Sequence, residues 1–331
     1  NLYPETKRQD MSMSAKIQQI IDSVVKNETL SGTSLISTIF GDSVLHRGGN
    51  ISLASLIQLL ELFGFNDRAV RTSVFRLVKN DWLCSDKIGR TSFYRITDSS
   101  RSTYLQAEQR IYNDQMKEWD HYWDLILMSS LDTENKALLK KELEWLGFAN
   151  ISTNLMAYPG CNRIELQRLL VDLNMSEQVV VFKAETLQLF NNSVDTIGRM
   201  LRTNWPIDEL RQRYLQFLDI FREIGVLLMQ ENEQLEPVQA FQIRTLLIHY
   251  YRRILLKDPA LPLELLPTDW PAISARTLSM NIYKKVFEPA DEYFLSVAAT
   301  AEGPMPNATA HYWRRFGGLV ATNERLNHAL L

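Results

Sequence analysis

The stretch "LASLIQLLELFGFNDRAVRTSVFRLVKNDWLCSDKIGRTSFYRIT" (53–97) holds two helical periodicities a few residues apart, then two short alternating runs. In the first, Leu53, Leu56, Leu59, Leu60 and Phe63 recur at helical spacing, and Gly64 ends the run. Asn66 or Asp67 supplies the cap of the second, predicted to about residue 80, with Val70, Val74, Leu77 and Val78 on one side. Residues 82–87 and 91–96 then predict a hairpin turning at Ile88-Gly89-Arg90, where glycine permits the tight reversal. Few folds accept this order. The link at 64–66 is short enough for the two helices to form a helix-turn-helix.

Charge is concentrated on this segment. Between residues 68 and 95 there are seven Lys/Arg (68, 71, 76, 79, 87, 90 and 95) and two acids, Asp81 and Asp86, whereas the 331-residue chain has net charge −3. On a helical wheel Arg68, Thr72 and Lys79 point away from the apolar stripe, and Arg71 and Arg76 flank them. A helix divided in this way suits the major groove of DNA: arginine donates bidentately to guanine, while lysine and threonine serve phosphates or bases. On that reading Arg68, Arg71 and Thr72 meet bases, and Arg76, Lys79, Lys87 and Arg90 hold phosphates. Ser92 and Tyr94 add phosphate bonds from the hairpin, or wing, and Arg47, beside two glycines, is a further phosphate candidate. One basic helix alone is more often a solvated surface. The sequence helix, short turn, basic helix, basic hairpin argues for a winged helix-turn-helix reading double-stranded DNA. Trp82, Leu83 and Tyr94 are expected to serve its core.

A length of 331 residues is too much for one ordinary core, so several domains are expected, in a multidomain α+β chain. Residues 1–13 read as a disordered tail, with Met11 and Met13 as plausible natural starts. Residues 14–116 read as the DNA-binding domain, with further helices at 15–26, 31–40 and 100–115. Residues 117–190 alternate strands (122–128, 147–157, 178–183) with helices (133–145, 163–172), predicting a small open-faced α/β sandwich. Residues 191–331 read as almost wholly helical, with long amphipathic runs at 207–231, 237–257 and 272–298.

No apolar run approaches the ~18 residues of a membrane span, and no basic-then-apolar leader is present. Cys84 and Cys161 fall in different predicted domains, which argues against a structural disulfide and for a reducing cytoplasm. Five scattered histidines lack ligand spacing, so no metal site is expected. The chain has no G-x-S-x-G elbow, Walker loop or dinucleotide fingerprint, which points away from an enzyme. Asp120, His121 and Asp124 cluster in sequence, but a strand sends His121 to the other face, so a structural role is expected.

Several stretches resemble the PaaX family, the winged-helix repressors of phenylacetic acid degradation. These are "SGTSLISTIFGDSVLHRGG" (31–49), "VRTSVFRL" (70–77), "NDWL" (80–83), "GRTSFYRIT" (89–97) and, most distinctively, "IHYYRRILLKDPALPLELLPTDWPAISAR" (248–276). The winged segment alone is also similar to GntR-type repressors. The resemblance implies a homodimeric transcriptional repressor of an aromatic catabolic operon, released from its operator by phenylacetyl-coenzyme A, with no cofactor. It also implies a central ferredoxin-like domain similar to the small CRISPR-adaptation nucleases. Those carry an acid at the end of the first strand, where this chain reads Leu127-Met128-Ser129-Ser130. A dimerisation or spacer role is therefore expected there, the alternative being an acyl-coenzyme A-binding or nucleic-acid-processing enzyme built on that domain.

An acyl-coenzyme A needs cations beside an aromatic or apolar slot. His249, Tyr250, Tyr251, Arg252, Arg253 and Lys257 supply both along one predicted helix, with Trp270 and Arg276 close behind. The same residues would also suit helix packing and the dipole of a helix C-terminus. "HYWRRFGG" (311–318) is a rival cluster of the same kind.

Overall fold

The computed structural model describes residues 12–27, 29–113, 118–187, 193–230 and 235–319. The predicted disordered tail lies, up to residue 11, outside them. The chain forms two compact units: Asn1–Asp114 with Phe217–Arg253 and Ser274–Leu331, and Gln115–Gln216 with Ile254–Ile273.

The first unit begins with α1 (Met13–Asn27) and α2 (Gly32–Ile39), the latter running into a π-helical turn at Phe40–Val44. Next come β1 (Asn50–Ser52), α3 (Leu53–Glu61), α4 (Asp67–Lys79), β2 (Leu83–Ile88), β3 (Thr91–Ile96) and α5 (Asp98–Glu108). α3, α4 and α5 each start on a side-chain cap, that of α4 being the predicted Asn66. Ser52 accepts from Ser55 N–H at 3.0 Å, Asn66 from Ala69 N–H at 2.9 Å and Thr97 from Ser100 N–H at 3.2 Å. The expected two-stranded hairpin is part of a three-stranded sheet, order β1-β3-β2, with Ile51 opposite Tyr94. A three-residue strand is too short to show alternation, which is why β1 escaped prediction. Gly32 lets α2 approach α4: a Cβ there would lie 2.4 Å from Ser73 Oγ.

The second unit is built on β4 (Tyr122–Leu127), α6 (Thr133–Trp145), β5 (Ala149–Ser152), β6 (Leu155–Tyr158), α7 (Arg163–Asp172) and β7 (Val180–Glu185). Its sheet is antiparallel, order β5-β6-β4-β7. The single strand predicted at 147–157 is thus two strands, folded back at the polar Ser152-Thr153-Asn154. Leu139, Leu143, Leu166 and Leu170 of the two helices are buried, as are Ile126 and Met156 of the central strands. α8 (Ser193–Asn204) follows, and Trp205 donates its indole N–H to Gly147 O at 2.9 Å.

α9 (Ile207–Gln230), α10 (Pro237–Leu255), α11 (Ala272–Val297), the short pair β8 (Ala299–Thr300) and β9 (Gly303–Pro304), and α12 (Ala310–Trp313) complete the chain. Among the described residues no helix is long and apolar enough to cross a membrane. Sequence position hides the main feature of the first unit's core. Asp42, from the turn after α2, meets Arg244 Nε at 3.1 Å and Arg315 Nη1 at 3.3 Å. Asp291 of α11 takes Arg244 Nη1 and Arg47 Nη2, each at 2.5 Å, and Glu108 takes Arg315 Nη2 at 3.0 Å and His46 Nε2 at 2.7 Å. Three guanidiniums thus face three carboxylates out of water, with Tyr112, Tyr283 and Tyr312 donating hydroxyls to the acids. Burial alone would raise the Asp42 carboxyl, but Arg244 and Arg315, then the Tyr112 and Tyr283 hydroxyls, hold it below its ordinary value. Glu108 is likewise pushed up by burial and brought down further by the His46 hydrogen bond and Arg315.

Candidate nucleic-acid interface

α4 buries Val70, Ser73, Val74 and Leu77 and leaves Arg68, Arg71, Thr72, Phe75, Arg76 and Lys79 exposed. Beside it lies an open cleft of about 440 Å³, where Arg68, Thr72 and Arg76 face Ser31 and Thr33 at the start of α2. At the far end of the hairpin Lys87 and Arg90 are exposed on either side of Ile88 and Gly89, and Gly89 has φ +61°. The base of the hairpin is tied down at Asp81, whose carbonyl accepts from Thr97 Oγ1 at 2.6 Å and Ser100 Oγ at 2.9 Å. α4 and the hairpin are therefore fixed to one small core.

The seven cations are not equivalent. Arg71 is bonded to Asp67 one turn earlier, which raises its pKa through that hydrogen bond and then through the carboxylate charge. Arg95 meets Asp86 at 3.3 Å across the hairpin. Among the described residues Arg68, Arg76, Lys79, Lys87 and Arg90 form no ion pair. Their full charge faces solvent. Thr72 Oγ1 donates to Arg68 O at 2.8 Å, so its remaining capacity is to accept, as from an exocyclic amine of adenine or cytosine. Ser92 and Tyr94 are half-buried on β3, with Ser92 opposite Lys87. Leu83 is a core residue as expected, whereas Trp82 stays 37 % exposed and meets the edge of Tyr104 at 6.0 Å.

The sequence reading missed Phe75. Its phenyl ring is 67 % exposed, in the middle of the outward face, one turn on from Arg71 and one turn before Lys79. The wheel itself was the available signal: position 75 falls between Arg68 and Arg71, opposite the buried stripe.

Arg47 needs correction. It is 2 % exposed, with its guanidinium on Asp291 and 4.2 Å from the Tyr312 ring centroid, so it faces the core and not a phosphate. The "HYWRRFGG" cluster is corrected for the same reason: Tyr312 and Arg315 are fully buried members of the ionic network.

The residues expected to bind an effector fall in both units. In the first unit, His249 is buried with Nδ1 3.2 Å from Thr38 Oγ1. Burial, then Arg252 and Arg253, push its pKa down to about 3, so it is not a cation for a ligand at neutral pH. Tyr251 packs on Phe217 (5.5 Å) and Tyr250 meets Phe221 edge-on (5.9 Å). Arg252 is half-buried and donates to Ser34 O at 3.3 Å, Arg253 is exposed and Arg276 is half-buried. In the second unit, Trp270 is buried edge-on against Tyr214 (6.0 Å) and Lys257 is exposed. Helix packing accounts for His249, Tyr251 and Trp270, which corrects that part of the expectation.

The acids of the second unit have structural partners. Asp124 is buried and accepts from Cys161 N–H at 3.2 Å and Arg163 Nη2 at 3.1 Å, while Asp120 pairs with Lys183 at 2.9 Å. No carboxylate stands at the end of β4, as the sequence indicated.

Comparison with known families matches residues 31–100 to "PaaX-like protein", 116–194 to "PaaX protein central Cas2-like domain" and 205–296 to "PaaX-like protein C-terminal domain". The transcriptional repressor PaaX of Escherichia coli K12 is 39 % identical over 312 residues, covering 94 % of this chain and 98 % of that protein. A solved structure, the uncharacterized protein Rv0674 from Mycobacterium tuberculosis, is 19 % identical with a TM-score of 0.49, covering 79 % of this chain and 97 % of that one. The fold is thus mixed α+β with a Cas2-like central domain, and its similarity is to a regulator and not to an enzyme. With all three segments matched in order and the relative aligned nearly end to end, the chain belongs to the PaaX family.

Proposed function

We propose that this protein is a transcriptional repressor whose winged helix-turn-helix, made of α3, α4 and the β2–β3 hairpin, reads an operator in duplex DNA. One observation carries the reading: five cations without an ion pair among the described residues, and an exposed phenyl ring, share the outward side of a helix and hairpin in a chain of net charge −3. Arg68 and Thr72 read base edges, Phe75 meets a thymine methyl, and Arg76, Lys79, Lys87 and Arg90 hold phosphates. Arg71 contributes once DNA draws it from Asp67. Two copies engage two half-sites of a two-fold operator.

Release by phenylacetyl-coenzyme A, and control of a phenylacetate operon in the cytoplasm, are taken from the family resemblance. Such an effector acts by binding the geometry whose half-site spacing no longer matches the operator, and an equal preference for both geometries would shift nothing.

The test is a gel-shift assay on duplexes selected from a random pool by the full-length protein. Binding of the selected duplex, lost on adding phenylacetyl-coenzyme A, supports the whole reading. Binding that ignores the ligand removes the effector and keeps the repressor. Strand cutting with a divalent metal, or no selection of any duplex, overturns the reading. Arg68→Ala should cost about 1–3 kcal/mol on the selected duplex and broaden base preference at one position.

A further inference from the structure

The buried network of the first unit sets three guanidiniums, Arg47, Arg244 and Arg315, against three carboxylates, Asp42, Asp291 and Glu108. Arg252 of α10 lies outside that balance. It forms no ion pair among the described residues. Its Nη2 donates to Ser34 O and Ser34 Oγ, each at 3.3 Å, while its Nε is buried without a hydrogen-bond partner. A second donor is left over on α5. Tyr104 is 6 % exposed, and its hydroxyl, beside Ser37, has no hydrogen-bond partner. Burial raises the Tyr104 pKa, so the hydroxyl keeps its proton. Both side chains line one cavity of about 20 Å³ between α2, α5 and α10, with room for a guest the size of a water. Two π-helical turns, Phe40–Val44 and Gln109–Asn113, meet at this cavity, Tyr112 donating its hydroxyl to Asp42 at 2.6 Å. Such turns are frequent at binding sites.

We propose that this cavity binds a small monovalent inorganic anion, of the size and charge of chloride, held by Arg252 Nε–H and the Tyr104 hydroxyl. A buried guanidinium without a counter-charge is costly, and an anion removes that cost. Asp42 and Glu108 line the same cavity, and a free carboxylate there would repel such a guest. Neither is free. Asp42 accepts from the Tyr112 and Tyr283 hydroxyls and meets Arg244 and Arg315. Glu108 meets His46 and Arg315. The charge left over beside the cavity is therefore that of Arg252. The Thr38 hydroxyl on the same wall is already engaged with Ser34 O at 3.0 Å and His249 Nδ1 at 3.2 Å. The two unused groups are donors. An anion accepts from both, whereas a water must also find acceptors for its own hydrogens. Bound there, the ion joins α5 to α10 beside α2, the helix that brings Gly32 against Ser73 of α4.

Bromide, which scatters anomalously, is the direct probe. Crystals of the full-length protein grown in bromide should show an anomalous peak within hydrogen-bond reach of both Arg252 Nε and Tyr104 Oη. Density there without an anomalous signal is a water, and that result, like an empty cavity, overturns the proposal. The second measurement is in solution. Urea unfolding is followed at fixed ionic strength while chloride is exchanged for gluconate, which is too large for the cavity. An anion held only by the folded chain lowers the unfolding constant by the factor 1 + [anion]/Kd, about elevenfold at ten times Kd, along a saturating curve. Arg252→Gln should abolish that saturating effect, and Tyr104→Phe should raise Kd about threefold or more. Arg253→Gln, which alters an exposed neighbour, should keep it. Equal stability in chloride and gluconate, an effect that never saturates, or an equal loss in Arg253→Gln would each sink the site. If Arg252→Gln does not fold, the bromide crystals of the unaltered protein decide.

Discussion

Consider Lys87→Ala. Lys87 stands at the exposed end of β2 without an ion pair, two residues before the Gly89 turn and opposite Ser92. A cation so placed reports on a phosphate and not on a base. Each phosphate contact contributes about 0.9 to the slope of log affinity against log salt, so losing one from each of two copies shallows the slope by about 1.8. Between 50 and 200 mM salt this amounts to about a tenfold change in the ratio of wild-type to variant affinity. The assay is fluorescence anisotropy on a selected and a scrambled duplex, titrated across that salt range. Both duplexes should weaken by the same factor, most strongly at low salt. A slope equal to wild type, or a loss confined to the selected duplex, would refute the assignment of the hairpin to the DNA backbone.

Other outcomes follow from the same structure. Phe75→Ala should abolish the preference for thymine over uracil at one position of each half-site; in wild type that preference is roughly fourfold, since a buried methyl is worth about 0.8 kcal/mol, and equal preference in both proteins would remove Phe75 from the interface. Asp291→Asn leaves Arg47 and Arg244 short of a carboxylate inside the first unit; stability against urea should fall by about 3–5 kcal/mol, and a change within about 1 kcal/mol would mean the network relaxes freely. His249, held at about 3 against an ordinary 6.5, stays neutral in the folded chain where the unfolded chain takes up a proton, so its contribution is full above 6.5 and falls away as pH drops. That loss is about 2 kcal/mol between pH 7 and pH 5, so urea midpoints of His249→Gln should fall less over this range, and superimposable pH profiles would refute the assignment. Asp42 and Glu108, both held below their ordinary values, act in the same direction at more acid pH.

Local rules acting on neighbouring residues made much of the first hundred residues legible. The stripe Val70, Val74 and Leu77 set the buried side of α4 and therefore the side on which Arg68, Arg76 and Lys79 emerge. Asn66 marked a helix start because a short polar side chain satisfies a free N–H within three residues. Whether a cation is free depends on what lies across space. Arg47 and Arg315 look as available in sequence as Lys87 does, yet each meets an acid more than 200 residues away, and only the fold brings Asp291 and Asp42 to them. The aromatics at 250, 251 and 270 likewise read as a ligand slot until packing against Phe221, Phe217 and Tyr214 claimed them. Periodicity and capping, which act over one or two turns, were set by sequence. Burial and charge pairing were decided by tertiary structure, because electrostatic and packing energies depend on distance in space and not along the chain.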